Sequence, residues 1–380
     1  GLMNQPSAQV IDGSLKFDND LNTYLTRTPS SAGNRNVWTW SGWVKKSNAT
    51  EQLAMFTAYG SGSNSGYGML WFQNNGVLYF HNWDGQNNSA QTDATFRDTG
   101  WYHVVAVHDE NDPVKMKFYV NGTLQSLATN LTTSTAINST QPHYIGLEPY
   151  NGGRKYYDGS MAQITFVDGL RLGPSYFGYT DPLTNTWRSK KFRAEGITVN
   201  DGTEWTTKMS NTSLIYSGSA SNVYNGDASW SASNYASFNV GTLTLLTGVN
   251  IEVKNSIRVY ANFSSSDYIV VNGVNYTSSD GTGTPNWLSL DGLTYPFDLT
   301  TLAIDTTPSN VQNSISAVEI DGVILQDSTT QNLAYGTNGF YLPMDGNSPI
   351  GEDQSGNGND WTPVNFGGSV ALDKATGALP

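Results

Sequence analysis

Short segments in which apolar and polar residues alternate recur along the whole chain. Those of the first half are NVWTWSGWV (37–45), GVLYFHNW (76–83), WYHVVAVHD (101–109), KMKFYVNG (115–122) and MAQITFVDG (161–169). A period of two residues is typical of a half-buried β-strand, and the Asn-Gly pair that ends KMKFYVNG favours a tight hairpin. Helical periodicity is almost absent, with at most one turn in GPSYFGY (173–179). The pattern therefore predicts an all-β protein, built as a sandwich or a barrel.

The same pattern divides the chain into three parts. A second series of short strands runs through roughly 194–331 and has its own tryptophans, so it could bury its own core. Residues 337–366 are rich in Gly and Asn and hold one clear strand, GFYLPM. This last stretch is too short to fold alone. We expect it to pack onto a domain already formed, or onto a neighbouring chain.

Three tryptophans lie close together in NVWTWSGWV. In a strand, Trp38 and Trp40 share one face and Trp43 lies on the other. A sugar-binding platform needs one aromatic face and one core face, whereas tryptophan on both faces is typical of an inner strand covered on both sides. A buried indole supplies enough apolar contact to explain the cluster without a ligand. The sequence predicts that these residues, and Trp101, belong to the core.

Composition and charge narrow the function classes. Charged residues make up 13% of the chain, and the net charge is −13 with no long Lys/Arg cluster. Nucleic acid is therefore a poor partner, because phosphate binding needs concentrated positive charge. Cysteine is absent, which excludes disulfides and thiolate metal sites. No apolar run reaches membrane-spanning length, so we expect no membrane insertion. No signal peptide is visible, so we expect the protein to reach the outside of the cell either after removal of such a peptide or by assembly in a virion.

The ordered set GSLKFDNDLNTYLTRTP, WTWSGWVKKS, TGWYHVVAVHD, KFYVNGTLQ, HYIGLEP and YYDGSMAQITFVDGLRL resembles the laminin-G-like branch of the concanavalin A-like lectin/glucanase fold. The resemblance covers about half of the chain. It implies a two-sheet jelly roll that binds carbohydrate, often with calcium. The expected architecture is a jelly-roll sandwich over 1–190, a second, smaller β-sandwich over 191–332 and a return segment over 333–380.

Two further resemblances concern the end of the chain. DQSGNGNDWTP (353–363) is similar to the segment that usually precedes the first strand of such domains, so its late position suggests a permuted order or the start of another repeat. The combination of both domains with YGTNGFYLPMDGN and SGNGNDWTPVNF is similar to virion adhesion proteins of marine tailed phages. It implies a location on the outer surface of a phage particle.

Three loops combine aromatic rings with polar side chains, as sugar binding requires. They are TAYGSGSNSGYGMLW (57–71), HNWDGQNNS (81–89) and EPYNGGRKYYDG (148–159). A flat ring stacks on the C–H groups of a sugar, and amides or charged groups bind its hydroxyls. The alternative is that these residues only form turns. The candidate carbohydrate-binding residues are Tyr59, Tyr67, Trp83, Asp84, Asn87, Tyr150, Arg154 and Tyr156.

Two segments carry the oxygen ligands that calcium prefers. Asp353, Ser355 and Asn357 stand at alternate positions of DQSGNGND, like the start of a calcium loop, but the final bidentate Glu is missing. FDNDLN (17–22) offers Asp18 and Asp20. The alternative for both segments is a run of Asx-turns.

Catalytic patterns are weak. The chain lacks the closely spaced Glu and Asp run of laminarinase-type enzymes, and the candidate pair is Glu319 and Asp321, at an i, i+2 spacing in VEID. The four histidines have no metal-ligand spacing. We therefore predict that the chain is not an enzyme, with a laminarinase-like glycoside hydrolase as the minor alternative.

Together these features predict a non-catalytic phage virion surface protein, of the tail-fibre or receptor-binding type. Its expected partners are host cell-surface glycans and other virion proteins, and we expect a homo-oligomer whose repeated sites raise a weak affinity. The alternative is a structural virion component, such as a capsid decoration or tail-assembly protein. Tyr59, Tyr67, Trp83 and Tyr150 should face solvent in the first case and neighbouring subunits in the second.

Overall fold

The computed structural model describes residues 13–60, 66–83, 87–131, 136–149, 154–192, 198–231, 234–328, 330–332, 335–367 and 374–375. These residues form an all-β protein, which confirms the predicted fold class. Their helices are four short 3-10 segments, at Pro174–Tyr176, Trp205–Lys208, Thr212–Leu214 and Ala220–Tyr224. Within the described part of the chain, no helix is both long and apolar enough to cross a membrane.

The strands are numbered in chain order. Those of the first half are β1 (Ser14–Phe17), β2 (Tyr24–Arg27), β3 (Val37–Lys46), β4 (Leu53–Tyr59), β5 (Tyr67–Phe72), β6 (Val77–Trp83), β7 (Asn87–Thr95), β8 (Trp101–Asp109), β9 (Met116–Val120), β10 (Thr123–Leu124), β11 (Leu127–Thr129), β12 (His143–Ile145), β13 (Leu147–Glu148), β14 (Lys155–Tyr156), β15 (Gly159–Asp168), β16 (Gly178–Thr180) and β17 (Trp187–Ser189). Those of the second half are β18 (Thr198–Asp201), β19 (Ile215–Ser217), β20 (Ala236–Phe238), β21 (Thr242–Val253), β22 (Ile257–Ser264), β23 (Tyr268–Val271), β24 (Val274–Tyr276), β25 (Thr282–Ser289), β26 (Phe297–Asp305), β27 (Asn313–Ile320), β28 (Val323–Ile324), β29 (Thr330–Asn332), β30 (Phe340–Leu342), β31 (Thr362–Val364) and β32 (Lys374–Ala375).

The chain divides into two compact units. The first consists of Gly1–Glu110, Val114–Arg193 and Ala334–Pro380, and the second of Asn111–Pro113 and Ala194–Leu333. The predicted domain boundaries at residues 190 and 332 stay a prediction.

Two antiparallel sheets form the first unit. The front sheet has the order β11-β7-β6-β5-β4-β12-β2-β31, and the back sheet has the order β10-β9-β8-β3-β15-β1-β32, with β30 paired to β15. Apolar side chains from both sheets, such as Trp40 and Phe166 of the back sheet and Phe56 and Phe80 of the front sheet, form one buried cluster. The alternating pattern thus builds a sandwich, because each strand turns one face to this core. Strands β30 and β31, from the predicted return segment, complete its two sheets.

The tryptophans of β3 fill both sides of the back sheet, as predicted. Trp38 and Trp40 are fully buried in the core between the sheets, and Trp43 is buried on the opposite face against Ala162. Trp101 is half-buried and packs on this second cluster. Gly42 is required beside Trp40, because a Cβ there would lie 2.6 Å from Cη2 of the indole.

The second unit is also built from antiparallel sheets. Its larger sheet has the order β19-β20-β27-β22-β25, with β28 paired to β27, and a second sheet has the order β21-β26-β23-β24. Strands β18 and β29 form a separate pair. The longest strands of both sheets bury apolar residues, among them Val259, Ile315 and Leu302.

Candidate functional site

The outward face of the front sheet is lined with aromatic side chains. Alternation along the strands sends Leu25, Ile145, Ala58 and Phe80 into the core, so that their strand neighbours face outwards. Those outward neighbours include Tyr24 on β2, Tyr144 on β12, Tyr59 on β4, Tyr67 on β5 and Trp83 on β6, and all five are partly exposed. Since β2, β12, β4, β5 and β6 are adjacent in that order, the rings form one row across the sheet.

Three of these rings stand directly opposite one another. Tyr59 pairs with Tyr67 across β4 and β5, and Tyr67 pairs with Trp83 across β5 and β6. The ring centroids of Tyr59 and Tyr67 are 6.2 Å apart. Those of Tyr67 and Trp83 are 6.3 Å apart with the ring planes inclined by 14°. Cross-strand pairing therefore places aromatic rings from neighbouring strands side by side, nearly parallel for Tyr67 and Trp83 and tilted by 35° for Tyr59 and Tyr67.

The other end of the row is also built from tyrosines. Tyr24 lies 6.0 Å from Tyr144 and 6.1 Å from Tyr156, between ring centroids. Burial raises the pKa of Tyr144, and the nearby phenols of Tyr24 and Tyr59 raise it further. Tyr144 thus connects the two ends of the row. We call Tyr156, Tyr24, Tyr144, Tyr59, Tyr67 and Trp83 the aromatic strip.

A second layer of side chains supports the strip. Met69 and Trp71 are buried on the same face, and Tyr59, Tyr67 and Tyr79 pack against them. The Trp71 and Tyr79 rings stack with centroids 5.5 Å apart. Trp71 is 7% exposed, and its Nε1 has no hydrogen-bond partner among the described residues. The layer holds the outer rings in place and leaves one indole donor unused.

The structure brings together candidates that the sequence assigned to three separate loops. Tyr59, Tyr67 and Trp83 belong to one row, and Tyr156 lies at its end. Arg154 is exposed and stands two residues before Tyr156. Their placement in loops was partly wrong, because Tyr59 ends β4, Tyr67 begins β5 and Tyr156 belongs to β14. Asp84 and Tyr150 lie outside the described residues. Asn87 begins β7, and its backbone pairs with that of Trp83 at the end of β6. The side chain of Asn87 also lies outside the described residues.

Sequence reasoning missed Tyr24 and Tyr144. Each is a single aromatic in a short polar segment, without the Gly and Asn clusters that identified the other candidates. A signal was present, because Tyr24 precedes the core residue Leu25 and Tyr144 precedes the core residue Ile145. Alternation thus places both rings on the outward face.

The segment 353–360 does not fit a calcium ion. Asp353 Oδ1 accepts the backbone N–H groups of Tyr341 and Ser355 at 2.9 and 2.8 Å. Its Oδ2 accepts the Ser355 hydroxyl and the Asn359 N–H at 2.8 and 2.9 Å. These four bonds use the acceptor positions of the carboxylate, and Asn357 points its amide nitrogen to two carbonyl groups. The hydrogen bonds of this segment therefore fit a run of Asx-turns, the alternative prediction, better than a calcium loop.

The second calcium candidate is also a turn. Asp18 Oδ1 accepts the N–H groups of Asp20 and Leu21 at 2.9 and 3.2 Å, and Asp20 is exposed. No group of three or more His, Cys, Asp or Glu residues that could hold a metal occurs in the described part of the chain. Neither of the two predicted calcium segments is therefore arranged around a cation.

Both carboxylates of the hydrolase alternative have structural partners in the second unit. Glu319 accepts two hydrogen bonds from the Arg258 guanidinium, each 2.9 Å long. Asp321 is buried and accepts the backbone N–H groups of Lys254, Asn255 and Ser256. A glycosidase needs two carboxyl groups that flank a substrate bond. Glu319 instead links β27 to β22 through Arg258, and Asp321 stabilises the turn at residues 254–256.

A serine and a histidine form a hydrogen bond on the outer face of the back sheet. Such a pair can also belong to a catalytic site. Ser41 Oγ lies 2.9 Å from His103 Nε2, and Trp187 donates its indole N–H to His103 Nδ1 at 2.9 Å. Because Nδ1 accepts, the neutral ring carries its proton on Nε2 and donates to Ser41. Burial lowers the pKa of His103 to about 3. The ring therefore cannot activate Ser41 as a general base.

Residues 18–172 match the family model of the concanavalin A-like lectin/glucanases superfamily. Together with the two-sheet topology, this match assigns the first unit a concanavalin A-like, laminin-G-like fold. None of the curated proteins matches the chain.

Several solved structures resemble the chain at low identity. A heptameric SAP-like pentraxin from Limulus polyphemus is 18% identical over 42% of this chain and 77% of its own, with a TM-score of 0.33. The CBM40 of the Ruminococcus gnavus IT-sialidase, bound to α2,3 sialyllactose, is 14% identical over 39% and 90%, with a TM-score of 0.28. Domains LG4–5 of the mouse laminin α1 chain are 13% identical over 93% and 85%, with a TM-score of 0.33.

Proposed function

We propose that the chain is a non-catalytic glycan-binding protein and that the aromatic strip is its binding surface. The observation that carries this proposal is the row of partly exposed rings on five adjacent strands, supported from below by Met69 and Trp71. Neighbouring strands are about 4.8 Å apart, so five strands span about 19 Å, which is enough for several sugar rings. An oligosaccharide lying across the strands would meet one ring after another.

The strip supplies both interactions that a sugar needs. Ring faces contact the apolar C–H side of a pyranose, while the tyrosine hydroxyl groups bind its hydroxyls. The rings are held by one another and by the sheet, so little side-chain entropy is lost on binding. Shallow stacking of this kind gives a weak affinity for each site.

We extend the proposal to the setting of the protein, a phage virion surface on which the strip recognises a host cell-surface glycan. The small fraction of charged residues, 13%, and the absence of cysteine support this setting. Other virion proteins and further copies of the chain are then its partners, because repetition raises the avidity of a weak site. Mass spectrometry of purified phage particles should detect the chain, and antibodies against it should reduce adsorption to host cells. Particles without the chain would contradict this setting.

A structural virion part is the second candidate function. The strip supports this candidate too, because its partly exposed rings are contiguous and contiguous apolar patches often mark contacts with another protein. In that case Tyr59, Tyr67 and Trp83 should be buried by a neighbouring subunit in the assembled particle. A structure of the particle distinguishes the two, because an adhesin keeps these rings exposed to solvent.

Glycan binding is tested with the multimerised protein on a glycan array. We expect binding to at least one glycan, and we expect Tyr67→Ala and Trp83→Ala each to weaken it about tenfold, because the loss of an aromatic contact in a binding site often costs more than 1 kcal/mol. Tyr216→Ala is the matched control, since Tyr216 is 55% exposed and belongs to the second unit. Circular dichroism should show both strip variants folded. Wild-type protein that binds no glycan, or strip variants that bind as well as Tyr216→Ala, would refute the proposal.

A further inference from the structure

A polar cavity of about 200 Å³ lies on the outward face of the back sheet, away from the aromatic strip. Its lining includes Tyr341 on β30, Thr165 on β15 and Ser41 on β3, which are adjacent strands. Thr165 pairs directly with both Tyr341 and Ser41. Side chains that stand opposite each other in antiparallel strands are neighbours, so the two hydroxyl groups lie side by side in the cavity.

Residues 187–192 cover this face of the sheet and form the other wall of the cavity. The Ser189 hydroxyl donates to Gln163 Oε1 at 2.6 Å. Lys191 Nζ lies 5.0 Å from the centre of the Tyr341 ring. Lys191 is exposed and Gln163 is buried, and both line the cavity. The cavity is thus built between one extended segment and the sheet beneath it.

Two buried hydroxyl groups of the lining have a proton to donate and no acceptor for it. Ser41 is 2% exposed, and its Oγ already accepts the Nε2–H of His103, so its own proton is available to another group. Thr165 is 3% exposed, and its hydroxyl forms no hydrogen bond with a described residue. Buried polar groups nearly always have partners. These two hydroxyl groups therefore lack an acceptor that the described residues do not supply.

Gln163 adds a third donor to the lining. It lies where the register of β15 with β3 shifts, and its φ of 50° falls in the left-handed region. That conformation is costly for a residue other than glycine, and such strain is often found at functional sites. Since Oε1 accepts the Ser189 hydroxyl, the amide nitrogen of Gln163 is left without a partner among the described residues.

Positive charge accompanies these donors. Lys190 and Lys191 both line the cavity. Lys190 Nζ donates to the Ser175 carbonyl at 2.9 Å. Lys191 forms no ion pair with any residue in the described part of the chain. The lining thus combines a cation with three neutral hydrogen-bond donors.

We infer that this cavity binds a small oxyanion, a sulfate or phosphate group, through Ser41, Thr165, Gln163 and Lys191. The oxygens of such a group accept several hydrogen bonds at once, and its charge strengthens each of them. A neutral hydroxyl group fits less well, because it accepts at most two bonds and needs an acceptor for its own proton. The inference does not depend on the proposed function, since the aromatic strip belongs to the other sheet.

The test is isothermal titration calorimetry of the full chain with millimolar sodium sulfate, sodium phosphate and glucose 6-sulfate. Sodium chloride at the same ionic strength is the reference. The first two probes measure a free ion, and the sugar ester measures an anion carried by a larger molecule. The variants are Thr165→Val and Lys191→Gln. Lys155→Gln is the matched control, because Lys155 belongs to the same unit and its Nζ lies 3.8 Å from Glu148 Oε2.

We expect the wild type to bind at least one of the three probes and not chloride. Thr165→Val and Lys191→Gln should each weaken binding about tenfold, the usual cost of a lost hydrogen bond to a charged group. Lys155→Gln should bind like the wild type. Thr165→Val keeps the shape of the side chain and removes a hydroxyl without a protein partner. Its melting temperature without the anion should therefore equal or exceed that of the wild type, whereas the anion should raise the melting temperature of the wild type more.

Three results would overturn the inference. The first is the absence of both heat and a change in melting temperature with all three probes. The second is an equal loss in Lys191→Gln and Lys155→Gln, which would indicate general charge attraction. The third is a clear loss of stability of Thr165→Val without the anion, which would give this hydroxyl a role in folding. None of them bears on glycan binding by the strip, which Tyr67→Ala and Trp83→Ala test separately.

Discussion

Two buried histidines show how single residues make the first unit sensitive to acid. His143 accepts the Asn138 N–H at Nε2, at 3.0 Å, and donates from Nδ1 to the Gln141 carbonyl at 2.8 Å. Burial lowers the pKa of His143 to about 4, and that of His103 to about 3. Both rings are therefore neutral in the folded protein at neutral pH. An imidazolium at either position would be buried away from water, which disfavours the charged form.

We predict that stability falls as the pH is lowered from about 6.5 towards 4. In this range the unfolded chain binds protons at both histidines, whose free pKa is about 6.5, and the folded chain does not. Each group then contributes a slope of up to about 1.4 kcal/mol per pH unit. His143→Gln can keep both hydrogen bonds and should flatten the slope. Urea unfolding followed by tryptophan fluorescence at several pH values measures this, with His81→Gln, on the outward face, as the control. An unchanged slope in His143→Gln would contradict the assignment.

At the scale of elements, alternation along a strand predicts which residues share a face, but not which residues of two strands meet. Tyr59 and Tyr67 were recognisable as candidates in the sequence. Their direct pairing depends on the register of β4 with β5. A shift by one residue would turn all side chains of one strand to the opposite face, so the burial of Leu70 and Phe72 in the core determines the register of the strip.

An ion cluster connects elements of the second unit. Arg258 on β22 is buried, donates to Glu319 on β27 with two nitrogens, and donates from a third to Asp112 at 3.0 Å. Its guanidinium also lies 4.5 Å from the centre of the Trp287 ring. Three charged groups are therefore removed from water together. Each is stabilised only while its partners remain in place.

Glu319→Gln should therefore lower the free energy of unfolding by about 1.5–3 kcal/mol, because Arg258 loses a charged hydrogen-bond partner and keeps its ion pair with Asp112. The control is Glu252→Gln, whose exposed pair with Lys254 is 3.5 Å long and should change stability by less than about 1 kcal/mol. Chemical denaturation measures both variants. Under the hydrolase alternative, Glu319→Gln would remove activity and keep stability. Equal stability of the two variants would rule out the structural role.

At the scale of the whole molecule, the first unit is discontinuous in sequence. Its core includes Phe340, Leu342, Trp361 and Phe366, which follow the second unit in the chain. The residues that flank the long insertion are close together, because the Phe192 and Tyr335 rings have centroids 5.0 Å apart. The chain thus leaves and re-enters the first unit at neighbouring points.

This arrangement predicts opposite results for two deletions. Replacing 194–333 by a short flexible linker should leave the first unit folded, because its sheets and core stay complete. Deleting 334–380 should unfold it, because β30, β31 and four core aromatic or apolar side chains are lost. Circular dichroism and thermal melting compare the two proteins. A melt of the second protein that still shows the transition of the isolated first unit would show that the return segment is dispensable.

The sequence alone determined the strand period, the all-β class and the burial of Trp38 and Trp40, because these depend on local alternation and on the size of the indole. It also indicated rings and polar groups suited to sugars. Only the tertiary structure decided that Tyr144 lies between Tyr24 and Tyr59, since strand order and register depend on pairing between distant segments. It also decided that Asp353 binds backbone N–H groups rather than a cation, because the available donors, including Tyr341, come from a neighbouring strand.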